Sequence, residues 1–243
     1  MTSECLNFKN LVNEKYENSL TVEEFVNLIK SEYLSKNYSP SDAVTAVSLC
    51  RDDSMSLLLN QLSNAGFENQ FSLRAFTGLP IVGNTGFLTY YKHLFNRQNE
   101  VLPGLVIFAP HIGVSKTGKF GYLDRKGHTC PSNSCGANHF LIDFFKNYRI
   151  PTKEDPELRT VYDLVLSTGK VDSILKASSP IEELVETEYA LGSDIVEKTI
   201  LKIKESENIK HDILVVCGVH IDTPKCEDCK IDNYFQVRKM IWI

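Results

Sequence analysis

Apolar residues recur along this chain in two periods, and the switches between them mark out the elements. Over residues 1–37 the spacing is helical. Thr21-Val22-Glu23-Glu24 has the form of a capping box: the Thr hydroxyl takes a free helix amide and the Glu reaches back to the amide of the cap. Phe25, Leu28, Ile29 and Leu34 then share one face, and Ser39-Pro40-Ser41 ends the segment. Such a face needs a partner, either the chain's own core or a second subunit. Residues 43–49 form a β-prone run ending at Cys50-Arg51-Asp52-Asp53, and residues 55–65 read as a helix stopped by Gly66. Residues 71–87 carry Gly78, Gly83 and Gly86. They read as a loop that brings backbone close to a bound group, or as a plain connection. Residues 87–95 are aromatic and read as a helix, and residues 104–109 are a second continuous apolar run, stopped at Pro110. Residues 138–148 read as a helix, and residues 156–177 as a helical region broken near Gly169. Ser179-Pro180-Ile181-Glu182 reads as a further helix start, with Pro in the first turn and a capping Glu three residues after Ser. That helix runs to about residue 205, and a third β-prone run at residues 213–216 continues towards Ile221.

Strands that alternate with helices imply an α/β fold with a largely parallel central sheet. There is no internal repeat, low-complexity stretch or linker, so residues 40–243 are expected to be one globular domain behind an N-terminal helical arm of residues 1–39. Ligands of such sheets sit at the carboxyl ends of the strands, and Cys50 and His111 both stand at such ends.

Composition narrows the function classes. A net charge of −5 argues against nucleic acid as the main partner, because phosphate binding needs a basic face. No apolar stretch reaches the roughly 18–20 residues of a membrane span. The first ten residues lack the basic start and apolar block of a signal peptide. The expected location is therefore cytoplasmic, or organellar if a leader has been removed. The seven cysteines are an odd count without a secretory leader, which disfavours a disulfide framework and favours metal or redox chemistry. P-loop, G-x-S-x-G and G-x-G-x-x-G motifs are absent.

The stretch from residue 105 to 136 carries the candidate chemistry. A buried strand delivers His111 to its end, and Cys135 returns just ahead of a helix. With Cys50 these give two sulfurs and one imidazole, a set that holds zinc and leaves a fourth position for water. Bound zinc lowers the pKa of that water towards about 7 and supplies hydroxide at neutral pH. Asp52 either orients the water or binds the metal itself. Taken singly, a cysteine ending a buried strand packs as a small hydrophobe. A rival cluster, Cys217-x2-His220 with Cys226-x2-Cys229, has the spacing of a closed structural zinc site. Redox use of Cys226 and Cys229 ranks lower, because the pair does not open a helix. A third reading makes Cys135 a nucleophile of lowered pKa with His111 as its base, though no orienting partner is evident.

Several blocks carry a family resemblance. They are Ser48-Leu49-Cys50-Arg51-Asp52-Asp53, Gly78-Leu79-Pro80, Gly83-Asn84-Thr85-Gly86-Phe87, residues 109–118 around His111, and Ser134-Cys135-Gly136-Ala137. Ile221-Asp222-Thr223-Pro224 and Asp232-Asn233-Tyr234-Phe235 fit the ending. From about residue 40 onwards the sequence resembles the limiting-CO2-inducible B/C protein family, which is similar in fold to the β-class carbonic anhydrases. The resemblance implies Zn2+ held by Cys50, His111 and Cys135, with Asp52 in the place of the β-class aspartate. It implies a carbonic anhydrase that hydrates CO2 reversibly to bicarbonate through zinc-bound hydroxide, and a homodimer. Phe87 is assigned to an apolar CO2 pocket. The β-class arginine that pairs with the aspartate would fall at position 54, which is Ser54 here. Arg51 is adjacent but points away in an extended chain, leaving Arg74 and Arg125 as candidates. Without a partner, Asp52 would be free to swing onto the zinc. Some family members lack activity, so the alternative is a catalytically inactive zinc protein of the same fold with a structural or interaction role in inorganic carbon handling.

Overall fold

The computed structural model describes residues 8–94, 102–125, 127–207, 211–224 and 233–243. Helix α1 (Phe8–Lys15), strand β1 (Leu20–Thr21) and helix α2 (Val22–Ser35) come first. Strand β2 (Val44–Leu49), helix α3 (Ser56–Asn64), strand β3 (Asn69–Ser72), helix α4 (Gly83–Lys92) and strand β4 (Gly104–Ala109) follow. After the short β5 (His111–Gly113), strands β6 (Tyr122–Leu123) and β7 (Ser132–Asn133) pair with each other. Helices α5 (Gly136–Lys146), α6 (Pro156–Ser167), α7 (Val171–Lys176) and α8 (Pro180–Ser206) precede β8 (Ile213–Asp222) and β9 (Tyr234–Trp242).

The three apolar runs become β2, β4 and β8. The sheet order is β1-β9-β8-β4-β2-β3, with β5 beside β8. Strands β3, β2, β4 and β8 are parallel, while β9 and β1 add antiparallel pairs. The sheet is thus mostly parallel and flanked by helices, as expected. Every residue of β2, β4 and β8 is buried, because both faces are covered. Alternate side chains divide between the faces. Ala46, Val106, Phe108 and Val215 enter one core with residues of α5, α6 and α8. Val47, Leu49, Leu105 and Val216 enter the other with α2 and α3.

The first segment therefore lies on its own sheet. Both bonds of the capping box form: the Glu24 amide donates to Thr21 Oγ1 (3.1 Å) and the Thr21 amide to Glu24 Oε2 (2.8 Å). Phe25 of α2 stacks on Phe235 of β9 with ring centroids 3.8 Å apart. Burying one such side chain contributes roughly 1.5–3 kcal/mol.

Three details differ from the sequence reading. The glycine-punctuated loop is shorter, since β3 runs to Ser72 and α4 begins at Gly83. Ser179 precedes α8 without a side-chain cap bond, and the Glu182 carboxylate pairs with Lys15 at 2.5 Å. The sequence reading had no strand at β9, where Gln236, Arg238 and Lys239 interrupt the apolar pattern. Arg238 and Lys239 instead pair with Glu186 and Glu197 of α8. Among the described residues no helix is long and apolar enough to cross a membrane.

Helix α8 approaches β4 closely at Gly192. A Cβ there would sit 2.1 Å from the Phe108 ring. The ring is fully buried, so it cannot swing clear. Alanine is favoured over glycine in a helix by about 1 kcal/mol, while overpacking a core costs about 1–3 kcal/mol. Three ring atoms within 2.7 Å decide for the second effect. Gly192→Ala is expected to lower the denaturant midpoint, and a midpoint equal to or above wild type contradicts this packing.

Candidate metal centre

Register delivers two of the expected residues to one place. Leu49 pairs with Ala109 at the ends of β2 and β4. Cys50 follows Leu49, and His111 opens β5 beside His220. Cys135 is the N-cap residue of α5, where free helix amides favour a thiolate. One ligand atom from each of Cys50, His111 and Cys135 lies within 4.8 Å of the others. All three side chains are buried. Among the described residues this is the only such cluster.

Backbone contacts hold the first ligand in place. The Arg74 guanidinium donates to the Cys50 carbonyl at 2.8 and 3.1 Å and to the Asp52 carbonyl at 3.1 Å. Gly78, at φ +90°, packs where a Cβ would meet Ala109 O at 2.7 Å and Cys50 N at 3.1 Å. The Ser48 hydroxyl donates to the Gly78 carbonyl at 3.0 Å.

His111 is fixed through its other nitrogen. Its Nδ1 lies 2.6 Å from Asp222 Oδ2, and its Nε2 has no hydrogen-bond partner among the described residues. Asp222 also accepts from the Ser54 hydroxyl (3.1 Å) and Asn233 Nδ2 (3.2 Å), and His220 Nδ1 stands 3.2 Å away. Burial works against the Asp222 charge, but His220 and His111 outweigh it and hold the carboxyl below its ordinary range. An ionised Asp222 accepts a hydrogen bond from Nδ1–H, so the proton a bound cation would displace is the one on Nε2, whose lone pair would then face the two sulfurs.

The thiols are coupled. A hydrogen bond from Cys135, outweighing burial and joined by His111, lowers the Cys50 pKa to about 4. The same contact, together with burial, pushes Cys135 well up. Burial opposes the charged form of His111, yet the Cys50 and Asp222 charges raise its pKa well above the ordinary value. Protons shared among two sulfurs and an imidazole nitrogen are protons that a divalent cation can displace.

Asp52 stands outside this cluster. Its Oδ2 accepts from Arg125 Nη2 at 3.0 Å and its Oδ1 from the Ser54 amide at 3.0 Å. Arg125 also donates to Asp53 (2.9 Å) and to the Ser134 carbonyl (3.3 Å), tying the segment before Cys135 to the segment after Cys50. Burial disfavours the Asp52 charge, but the Ser54 amide, His111, Asp53 and Arg125 together lower its pKa. Of the candidate arginines, Arg51 pairs with Glu157 (3.1 Å), Arg74 binds carbonyls, and Arg125 holds Asp52.

Other expectations fare differently. Phe87 is buried in α4 and lines a small cavity with Tyr90, Tyr91, Ile200, Ile203 and Ile213. Ile213 opens β8, whereas Cys50 and His111 stand at carboxyl ends, so the fold places Phe87 away from the cluster. Cys217 and His220 lie on opposite faces of β8: Cys217 belongs to the core under α8, and His220 packs against Phe235 on the other side. They do not form a common site, and Cys226 and Cys229 fall outside the described residues. For the nucleophile reading, Asp222 supplies the orienting partner that the sequence did not reveal. Cys135 itself is buried with a raised pKa, the reverse of an activated thiol. The sequence reading gave no role to Asp222 and left Arg125 unresolved against Arg74, since both reach the site from segments remote in sequence.

No curated protein matches the chain. Among solved structures, that of PtLCIB4, a homolog of the limiting CO2-inducible protein LCIB, aligns with TM-score 0.82 at 22% identity, covering 96% of this chain and 94% of the other. The structure of limiting CO2-inducible protein LCIB aligns with TM-score 0.68 at 16% identity, covering 94% and 92%. At these identities the likeness concerns the fold. The family described as limiting CO2-inducible proteins B/C beta carbonic anhydrases matches residues 19–243, which reaches back to include α2. This chain belongs to that family of limiting CO2-inducible B/C, β-carbonic-anhydrase-like proteins.

Proposed function

We propose that the protein is a zinc-dependent carbonic anhydrase that interconverts CO2 and bicarbonate. The observation that carries this is the cluster of two buried sulfurs and one unpartnered imidazole nitrogen within 4.8 Å, beside an Asp52 held by Arg125. The donors suit zinc: two soft thiolates and a neutral imidazole, with an outer carboxylate on the far nitrogen. Cys50 Sγ, His111 Nε2 and Cys135 Sγ would hold the ion, which when bound supplies hydroxide at neutral pH by acidifying a water.

The chain's own groups then do the rest. Asp222 keeps His111 in the tautomer that presents Nε2. Arg125 and the Ser54 amide hold the Asp52 carboxylate away from the ligand cluster, so Asp52 would not itself ligate the ion. From there Asp52 would accept a hydrogen bond from the attacking oxygen and orient it towards CO2. A homodimer belongs to the same proposal, by analogy with the family.

Metal analysis should give about one zinc per chain, the occupancy expected of one three-ligand site. Stopped-flow CO2 hydration should stand above buffer and vanish in Cys50→Ala and His111→Ala. Buffer-level rates with zinc fully loaded would instead support an inactive structural or interaction role for the same site.

Asp222→Asn leaves the ring nitrogen with a neutral partner. Zinc affinity or activity should fall about 10–100-fold, the usual cost of losing a ligand's outer carboxylate. Competition with a chromogenic chelator reads the affinity directly, and unchanged affinity together with unchanged rate contradicts the role given to Asp222.

Arg125→Ala releases Asp52. Hydration should fall by about 100-fold, the scale of a misplaced positioning group, while zinc content stays at the wild-type level. Full activity in this variant would remove the Asp52–Arg125 pair from the mechanism.

A further inference from the structure

Helix α8 carries a carboxyl that the proposed chemistry leaves unused. Glu188 is fully buried, one turn before the Gly192 contact with β4. Its Oε2 accepts from Asn138 Nδ2 at 2.9 Å. No hydrogen bond of good geometry reaches its Oε1, Asn138 Oδ1 or Thr77 Oγ1 among the described residues, although the Thr77 hydroxyl stands close enough to Glu188 to stabilise its charge. All three side chains are fully buried. Buried polar atoms without a well-placed partner are costly, and three gathered at one place ask for a ligand.

Their position ties them to the metal centre. Thr77 directly precedes Gly78, whose backbone packs on Cys50 and Ala109. Asn138 lies three residues after Cys135, in the first turn of α5. The Glu188 charge interacts with those of Cys50, His111 and Cys135. Thr77 is also strained, at φ 60° and ψ −11° inside a short 3-10 turn. A β-branched residue rarely adopts that conformation, and such strain gathers where a side chain must be aimed.

The open atoms define what fits. Asn138 Oδ1 only accepts hydrogen bonds. The Thr77 hydroxyl donates or accepts. Burial pushes the Glu188 pKa up to about 8, against the pull of Asn138 and Thr77, so at neutral pH the side chain is mostly the neutral acid. With Oε2 accepting from Asn138, the acid proton sits on Oε1 and is available to donate. The matching ligand is small, carries one hydrogen to give, and has oxygen lone pairs to receive.

We infer that Thr77, Asn138 and Glu188 form a subsite that binds the hydroxyl end of bicarbonate and is filled by water when bicarbonate is absent. This rests on the proposed carbonic anhydrase reading for its choice of ligand. CO2 has no hydrogen to give, so the subsite engages bicarbonate and leaves CO2 unrecognised.

The test combines structure and binding on the full-length, zinc-loaded protein. High-resolution crystal structures with and without potassium bicarbonate should show an oxygen within hydrogen-bond distance of all three open atoms. Water should occupy the place without bicarbonate and a bicarbonate oxygen with it. Isothermal titration with bicarbonate at pH 7 should give a dissociation constant weakened about tenfold in Glu188→Leu, the loss expected of one ordinary hydrogen bond. Glu188→Gln keeps the shape and a donor and should stay within about threefold of wild type, well inside that tenfold scale. This variant also keeps the test open if Glu188→Leu does not fold. A site without an oxygen, or water retained in both structures, overturns the inference, as does a loss in Glu188→Gln equal to that expected for Glu188→Leu. These readouts do not use turnover. A protein that binds bicarbonate here but hydrates no CO2 upholds the subsite and rejects the enzyme, and the reverse pattern does the opposite.

Discussion

The short contact between His111 Nδ1 and the buried Asp222 carboxylate governs the chemistry of the whole site. An imidazole without that acceptor can hold its proton on either nitrogen, and the sulfurs beside it would face a donor as readily as a lone pair. Asp222 removes the choice. It does so because β5 runs parallel to the end of β8, pairing His111 with His220 and Gly113 with Asp222. Asp222 is in turn held by Ser54, from the segment after Cys50, and by Asn233, at the start of β9. A single carboxylate thus joins three separate stretches of chain around one nitrogen.

The sheet makes this possible at little local cost. Its central strands bury every side chain, and the candidate ligands gather at their carboxyl ends. Cys50 and His111 are the first residues past an apolar strand and a proline stop, and Cys135 is the N-cap residue just ahead of a helix. Arg125 then crosses between the Asp52 segment and the Ser134 carbonyl. The same cation that restrains Asp52 also braces the chain leading into Cys135. The role given to Asp52 therefore depends on an arginine more than seventy positions away rather than on its neighbours.

Much of this was legible in the sequence, for reasons that can be named. The runs at residues 43–49, 104–109 and 213–216 carry apolar residues on both faces because parallel strands under helices have no wet face. The Thr21 cap is a local device and forms as written. The Cys50, His111 and Cys135 set follows from strand ends and from the family blocks. The Cys217–His220 pairing misled because sequence spacing ignores the alternation of a strand: three positions apart are opposite faces. Phe87 misled because an aromatic near a glycine motif says nothing about which end of the sheet its helix meets. Asp222, Arg125 and Glu188 depend on long-range register, and a single sequence carries no signal for that. Strand β9 was hidden because its charged side chains are satisfied by ion pairs with α8.

Zinc-edge X-ray absorption of the purified protein addresses the central claim most directly. Two sulfur scatterers at about 2.3 Å, one imidazole nitrogen at about 2.0 Å and one further light oxygen scatterer are expected. A shell with fewer than two sulfurs, or one without imidazole, would contradict that claim.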